Sequence, residues 1–234
     1  MNEAFWLMLA HRPDAVEFLQ AGENFCKEYN RTCALASQQP ALATEIVSDR
    51  AESRNLLLEA LSQAQESVII VSPWLNKRWV DDELLSQMEA LLRRRCSLHI
   101  GWGYSGDISG IQSYGGLIHI QDNGKVLIQS SFKQMYRYSA YPELTKLRNR
   151  YSGQMYMKLL GTHEKYVVCD RRFAMLGSHN VLSSGDTASA PHECSWKTTD
   201  IRVINAQIAR FHSLPDLCNT FRPQAQPSKI ARFA

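Results

Sequence analysis

The chain has 234 residues, 44% of them hydrophobic and 21% charged, which suits one α/β domain with an extension and excludes a mostly disordered polypeptide. A net charge of +3 permits a polyanionic partner without demanding one. No apolar stretch approaches the roughly 20 residues that cross a bilayer, and the first residues lack the basic region and cleavage site of a signal peptide, so no stable membrane association is expected.

In chain order, Pro13 in a first helical turn followed by Val16, Phe18, Leu19 and Phe25 predicts a short helix before the polar break Ser37-Gln38-Gln39-Pro40. Residues 1–40 therefore read as an N-terminal helical appendage to a main domain over 41–222. Leu57, Leu58, Leu61 and Ala64 mark one helical face, and Val68-Ile69-Ile70-Val71 reads as a buried strand ending at Ser72-Pro73. Asp81 and Asp82 open a second helix with Leu84, Leu85, Met88, Leu91 and Leu92 inward. Arg93-Arg94-Arg95 closes it, with charges suited to both ends of the helix dipole.

Residues 97–102 form the next predicted strand. A glycine-rich stretch over 101–116 follows, then a turn at 121–125 between short strands at 117–120 and 126–128. Residues 142–150 look helical, three strand-like runs cover 155–160, 164–169 and 173–176, and an amphipathic segment covers 205–211. The tail, 223–234, reads as mobile. Alternation of helix and buried strand predicts an α/β layered domain with a mixed, largely parallel sheet.

The chemistry concentrates in His163-x-Lys165-x4-Asp170-x6-Gly177-Ser178-x-Asn180. Reaction at a phosphodiester needs an activated nucleophile, a proton donor for the leaving oxygen, and positive or hydrogen-bonding groups for the other oxygens. On a strand, His163 and Lys165 project from one face because they are two apart, and Ser178 and Asn180 do likewise. If Arg171-Arg172 is a two-residue hairpin loop, His163 lies opposite Asn180 and Lys165 opposite Ser178. A one-residue shift would turn one pair away.

With Glu164, Tyr166, Val167, Val168 and Cys169 between its fixed residues, this pattern resembles the extended motif of the phospholipase D superfamily at every fixed position. The resemblance runs from about Ser53 to Phe211, with Val68 to Leu75 similar to the family's first core strand, and leaves 1–40 uncovered. It implies a layered α-β-α domain flanked by helices and a phosphodiesterase that works through a phosphohistidine, without cofactor or metal. By the same resemblance His163 is the nucleophile or its partner acid, Lys165 and Asn180 hold phosphate oxygens, Ser178 assists, and Asp170 is structural or orienting. Glu193, in His192-Glu193-Cys194, fits the place of a glutamate that hydrogen-bonds the histidine. The family uses two histidine motifs, yet none of His11, His99, His119, His179, His192 and His212 has lysine two residues later. A homodimer with a shared active site is expected, or else a partner chain supplying the second motif.

Other signals weigh less. Gly101-Trp102-Gly103-Tyr104-Ser105-Gly106 spells a dinucleotide-loop pattern, but three more glycines and no helical period follow, so a loop beside the cleft is the better reading. His163, Cys169, His192 and Cys194 lack the paired spacing of a zinc site, and the six scattered cysteines form no C-x-x-C pair, which suits a reducing cytoplasm. Trp74, just past a strand end, is a candidate cleft residue. The mixture of basic residues and tyrosines from Lys133 to Arg150, which includes Tyr136, Arg137 and Tyr138, is a candidate surface for phosphate contact and base stacking. The leading expectation is a metal-independent endonuclease acting on DNA or RNA. The alternatives are a phospholipid phosphodiesterase or phosphatidyltransferase, and a catalytically silent nucleic-acid-binding subunit.

Overall fold

A computed structural model describes residues 44–108, 116–121, 125–129, 137–183 and 192–220, with residues 20, 24, 27 and 28 of the N-terminal part. The chain divides into two compact units, Met1–Leu42 and Ala43–Ala234. In the first, Gln20, Asn24, Lys27 and Glu28 are helical. Pro13, Val16, Phe18, Leu19 and Phe25 of the expected helix lie outside the described residues, as do Asp122, Asn123 and Gly124 of the expected turn, Lys133, Tyr136 and the tail.

The second unit runs β1 (Thr44–Val47), α1 (Arg50–Gln63), β2 (Ser67–Ser72), α2 (Asp82–Arg93), β3 (Ser97–Trp102), β4 (Ile118–Ile120) and β5 (Val126–Ile128). It continues with α3 (Tyr141–Arg150), β6 (Met155–Leu159), β7 (Tyr166–Cys169), β8 (Phe173–Gly177), β9 (Ser195–Thr198), α4 (Ile201–Ser213) and α5 (Leu217–Thr220). The main sheet has the order β1-β9-β8-β7-β2-β3-β6, and β4 and β5 form a separate hairpin. In the main sheet, among the described residues, the parallel pairs are β2–β3 and β3–β6, where helices supply the crossovers. The motif-bearing side, β2-β7-β8-β9-β1, is antiparallel.

Helices cover both faces, and alternate residues of the central strands divide between them. Val68, Ile70, Leu98, Ile100, Val167 and Met175 pack with Leu57, Leu61, Leu84, Met88 and Leu91 of α1 and α2. Ile69, Val71, Tyr166, Val168 and Ala174 pack with Ile204 and Phe211 of α4. Burial on both sides explains why β2 reads as an unbroken apolar run. Helix starts follow the capping rules: Asp49 accepts from the Glu52 amide at 2.8 Å, Asp81 from Leu84 at 2.9 Å and Asp200 from Arg202 at 2.9 Å. Among the described residues no helix is long and apolar enough to cross a membrane.

The β7–β8 hairpin departs from the expected register by one residue. Cys169 pairs with Phe173 and Tyr166 with Leu176, so the loop holds Asp170, Arg171 and Arg172 rather than two arginines. Asp170 takes φ 49°, a left-handed conformation that aspartate tolerates better than most residues. Its carboxylate turns back to accept the amides of Gln65 at 2.9 Å, Glu66 at 2.9 Å and Ser67 at 2.7 Å. These are the successive amides of the α1–β2 connection, and the carboxylate supplies all three with an acceptor. Asp170 therefore stands outside the β7–β8 pairing while its amide continues the β7–β2 ladder by donating to the Ser67 carbonyl at 2.9 Å.

Candidate functional site

The site lies at one edge of the sheet, where β2, β3 and β6 end. Beyond the strands the parallel ladder continues: Gly103 donates its amide to the Pro73 carbonyl at 3.0 Å, and Thr162 donates to the Gly103 carbonyl at 2.8 Å. Gly103 has φ 95°, which only glycine adopts freely, and the turn it makes keeps the three chain ends side by side. Trp74, Tyr104 and His163 follow directly. Because β7 is antiparallel to β2, its start falls at the same edge, and the β7–β8 pairing extends by one bond from the Gly177 amide to the Lys165 carbonyl.

His163 is exposed, and Lys165 is half-buried beside it. The Lys165 ammonium sits 3.3 Å from Nδ1 and 3.2 Å from Nε2 of His163, and donates to the His163 carbonyl at 2.9 Å. Partial burial, followed by the charge of Lys165, lowers the His163 pKa below its ordinary value of 6.5. The shift favours the neutral imidazole, the form with a lone pair to give. Burial also lowers the Lys165 pKa, and the charge of Glu193 opposes this.

Aromatic rings flank the imidazole. The Trp74 and His163 ring centroids are 5.7 Å apart at 73°, and those of Tyr104 and His163 5.4 Å apart at 63°. The Arg137 guanidinium lies 5.1 Å from the Trp74 ring centre. One buried carboxylate, Asp107, fixes this wall: it accepts from Trp74 Nε1 at 3.0 Å, Arg137 Nη1 at 2.6 Å and the Tyr138 hydroxyl at 2.9 Å. Sequence reasoning missed Asp107 and Tyr104. A lone aspartate in a glycine-rich loop carries no periodic signal, although its nearness to Tyr104 in sequence was a usable hint.

Tyr138 does not serve as the exposed stacking platform expected for it. It is 3% exposed, packs edge-on against Trp102, and takes the Tyr104 amide on its oxygen at 3.1 Å. Its place is under the wall rather than in it. Of the expected contact residues outside the motif, Trp74 and Arg137 stand beside His163, as Lys165 of the motif does.

The second half of the motif is arranged differently from the four-side-chain patch expected. Ser178 Oγ accepts the Cys194 amide at 2.9 Å and donates to the Cys194 carbonyl at 3.2 Å, tying the end of β8 to the approach of β9. Asn180 Nδ2 lies 3.5 Å from Glu193 Oε1, and Glu193 forms an ion pair with Arg50 at 3.5 Å. Glu193 is thus placed against Asn180 and Arg50 rather than on His163 as expected. Its charge also acts on Lys165, raising that pKa against the larger effect of burial. Arg50 was not foreseen, since an arginine opening a helix against the dipole looks like a surface residue.

Cys169 is buried with its thiol 3.7 Å from the Ala60 carbonyl, so His163, Cys169, His192 and Cys194 do not form one site. The dinucleotide-loop pattern leads into a short 3-10 turn at Ser105–Asp107 rather than an α-helix. Glu164, inside the motif, pairs with Arg210 Nε at 2.7 Å, which fastens the start of β7 to α4.

Residues 57–214 match the family model described as "Cardiolipin synthase, PLD-like domain". The chain belongs to this phospholipase D-like family. All the fixed motif positions of the phospholipase D-like domain, from His163 to Asn180, fall inside the matched segment. The domain is also similar to NucT from Helicobacter pylori, with TM-score 0.48 and 17% identity over 74% of this chain and 96% of that one. It is similar to Nuc from Salmonella typhimurium, a phospholipase D family member, with TM-score 0.49 and 11% identity over 74% and 93% of the two chains. A phosphatidylserine synthase from Haemophilus influenzae gives TM-score 0.47 and 16% identity over 73% of this chain and 37% of its own. No curated protein matches the sequence.

Proposed function

We propose that this phospholipase D-like domain is a metal-independent phosphodiesterase that cleaves nucleic acid through a phosphohistidine on His163. The observation that carries the reading is the contact of an exposed imidazole, with lowered pKa, and the Lys165 ammonium at the sheet edge. A neutral ring nitrogen of His163 attacks phosphorus, an N–P bond forms, and the P–O bond to the leaving group breaks. A second histidine protonates the leaving oxygen. That histidine, now neutral, takes a proton from water, whose oxygen attacks phosphorus and releases His163. Lys165 and Asn180 hold the non-bridging oxygens.

The second histidine is proposed to be His163 of another copy. His179 of the same chain is 2% exposed, with Nδ1 2.7 Å from the Ser195 hydroxyl, and is turned into the interior. An exposed His163 suits a shared site on a two-fold axis. If subunits exchange freely and wild-type protein is mixed with His163→Ala, activity should fall as the square of the wild-type fraction. A linear fall would mean independent sites.

Nucleic acid is favoured by the wall of Trp74, Tyr104 and Arg137 beside His163, which combines flat apolar surface with a guanidinium. A phospholipid substrate is the second reading, favoured by the cardiolipin synthase description of the matching family. Purified protein assayed on single-stranded and double-stranded DNA, RNA and phospholipid vesicles, with His163→Ala as control, separates the two. Cleavage of nucleic acid that the control lacks supports the proposal, and release of lipid headgroup alone overturns the substrate assignment.

A further inference from the structure

Behind Asn180 lies a small cavity of about 10 Å³, lined by Arg50, Ser53, Arg54, Trp79, His179, Asn180 and Val181. Three of these residues carry a buried polar atom with no hydrogen-bond partner in the protein: Trp79 Nε1, His179 Nε2 and Asn180 Oδ1. They arrive from separate elements. Trp79 stands in the β2–α2 connection, its carbonyl held by Arg54 Nη1 at 3.0 Å, while His179 and Asn180 follow β8. The two segments are joined by the Asn76 amide, which donates to the Leu182 carbonyl at 2.8 Å.

Leaving three buried polar groups unpaired would be costly, and their chemistry is complementary around one small molecule. The indole N–H only donates, the amide oxygen only accepts, and the imidazole nitrogen does either according to its tautomer. A water molecule accepts from Trp79, donates to Asn180, and meets His179 in either role. The cavity volume matches what one water needs, on the order of 10–15 Å³.

We propose that this cavity holds one structural water that joins Trp79, His179 and Asn180, and that Trp79 and His179 are thereby positioning residues for Asn180. With Oδ1 turned inward to the water, Nδ2 faces Glu193, and a donor there suits the anionic phosphate that the proposed function assigns to Asn180. The rotated amide would present its oxygen there and repel the phosphate. Glu193 holds this orientation weakly from outside at 3.5 Å, so the inner contacts set it. Burial, the largest influence on His179, lowers its pKa and so favours the neutral ring. The water stands on the cavity alone, whereas its part in phosphate binding rests on the proposed phosphodiesterase activity.

A high-resolution crystal structure of the full chain tests the water directly. One ordered water within about 2.7–3.2 Å of all three atoms is expected. A dry cavity, or direct bonds among the three groups, overturns it. Replacing Trp79 with 3-benzothienylalanine keeps the bicyclic shape and exchanges only the N–H for sulfur. The variant's kcat on bis-para-nitrophenyl phosphate should fall about five- to tenfold, the scale of one hydrogen bond. In an Asn180→Ala background the same change should do nothing more, because there is no amide left to orient. An equal loss in both backgrounds overturns the positioning role. If the wild-type protein does not cleave the probe, the phosphodiesterase reading fails, and the crystal structure still decides the water.

Discussion

Lys165 brings its ammonium within 3.2 Å of His163 Nε2 while donating to the His163 carbonyl at 2.9 Å, so its charge bears on the ring it accompanies. A cation this close disfavours the imidazolium, adding to the larger effect of burial. If neutral His163 is the nucleophile, the acid limb of the kcat/KM profile reports its pKa, and activity rises as pH climbs through a value below 6.5. Lys165→Gln removes one lowering influence. The acid limb should therefore move upward in pH, toward the ordinary value, and a pH–rate profile of residual activity checks this.

The two residues should differ in what their loss affects. His163→Ala should abolish turnover by several orders of magnitude while substrate binding is largely kept, because the covalent step has no other nucleophile. Lys165→Ala should raise KM as well as lower kcat, since its charge meets an anionic group in the ground state too. Equilibrium binding and steady-state kinetics on both variants separate these outcomes. Chelator should leave wild-type activity intact, and strict dependence on added divalent metal would contradict the mechanism.

Asp170 predicts an effect on stability. Asp170→Ala strips three backbone amides at the α1–β2 turn of their acceptor and places alanine at φ 49°. A loss of about 2–4 kcal/mol is expected, readable in denaturant unfolding. Asp170→Asn keeps one acceptor oxygen and a residue tolerant of this backbone, so it should recover part of the loss.

Much of this was legible in the sequence. The apolar run at 68–71 and the helical spacing of Leu84, Met88, Leu91 and Leu92 are local signals, and they mark β2 and α2 correctly. The phospholipase D pattern identified the family. What escaped depended on long-range pairing. β1 and β9 are four-residue strands, and Ile46 and Trp196 lie exposed opposite each other, so neither strand shows the clean alternation that would announce it. The β7–β8 register leaves Asp170 outside the pairing, which spacing alone does not state. Asp107 and Glu193 owe their importance to partners far off in sequence: Asp107 meets Trp74 and Arg137, and Glu193 meets Arg50.

The wall beside His163 predicts a change in affinity. Asp107→Asn keeps the size of the side chain but gives up the charge that holds Arg137, and an amide cannot accept from all three present donors in the same way. KM for nucleic acid should rise several-fold with a smaller change in kcat. Arg137→Ala should raise KM similarly and reduce the salt dependence of binding by about one charge, which a titration of affinity against salt concentration measures.

The most direct test of the central claim is to catch the covalent intermediate. During turnover, wild-type protein is quenched in alkali, which preserves phosphohistidine, and peptides are mapped by mass spectrometry. A covalent adduct is expected on the peptide bearing His163, with the N–P bond carrying the phosphate that still holds its retained nucleotide ester, formed and consumed at least as fast as turnover, and absent from His163→Ala. Turnover by His163→Ala at the wild-type rate, or wild-type turnover with no adduct at His163, would contradict it.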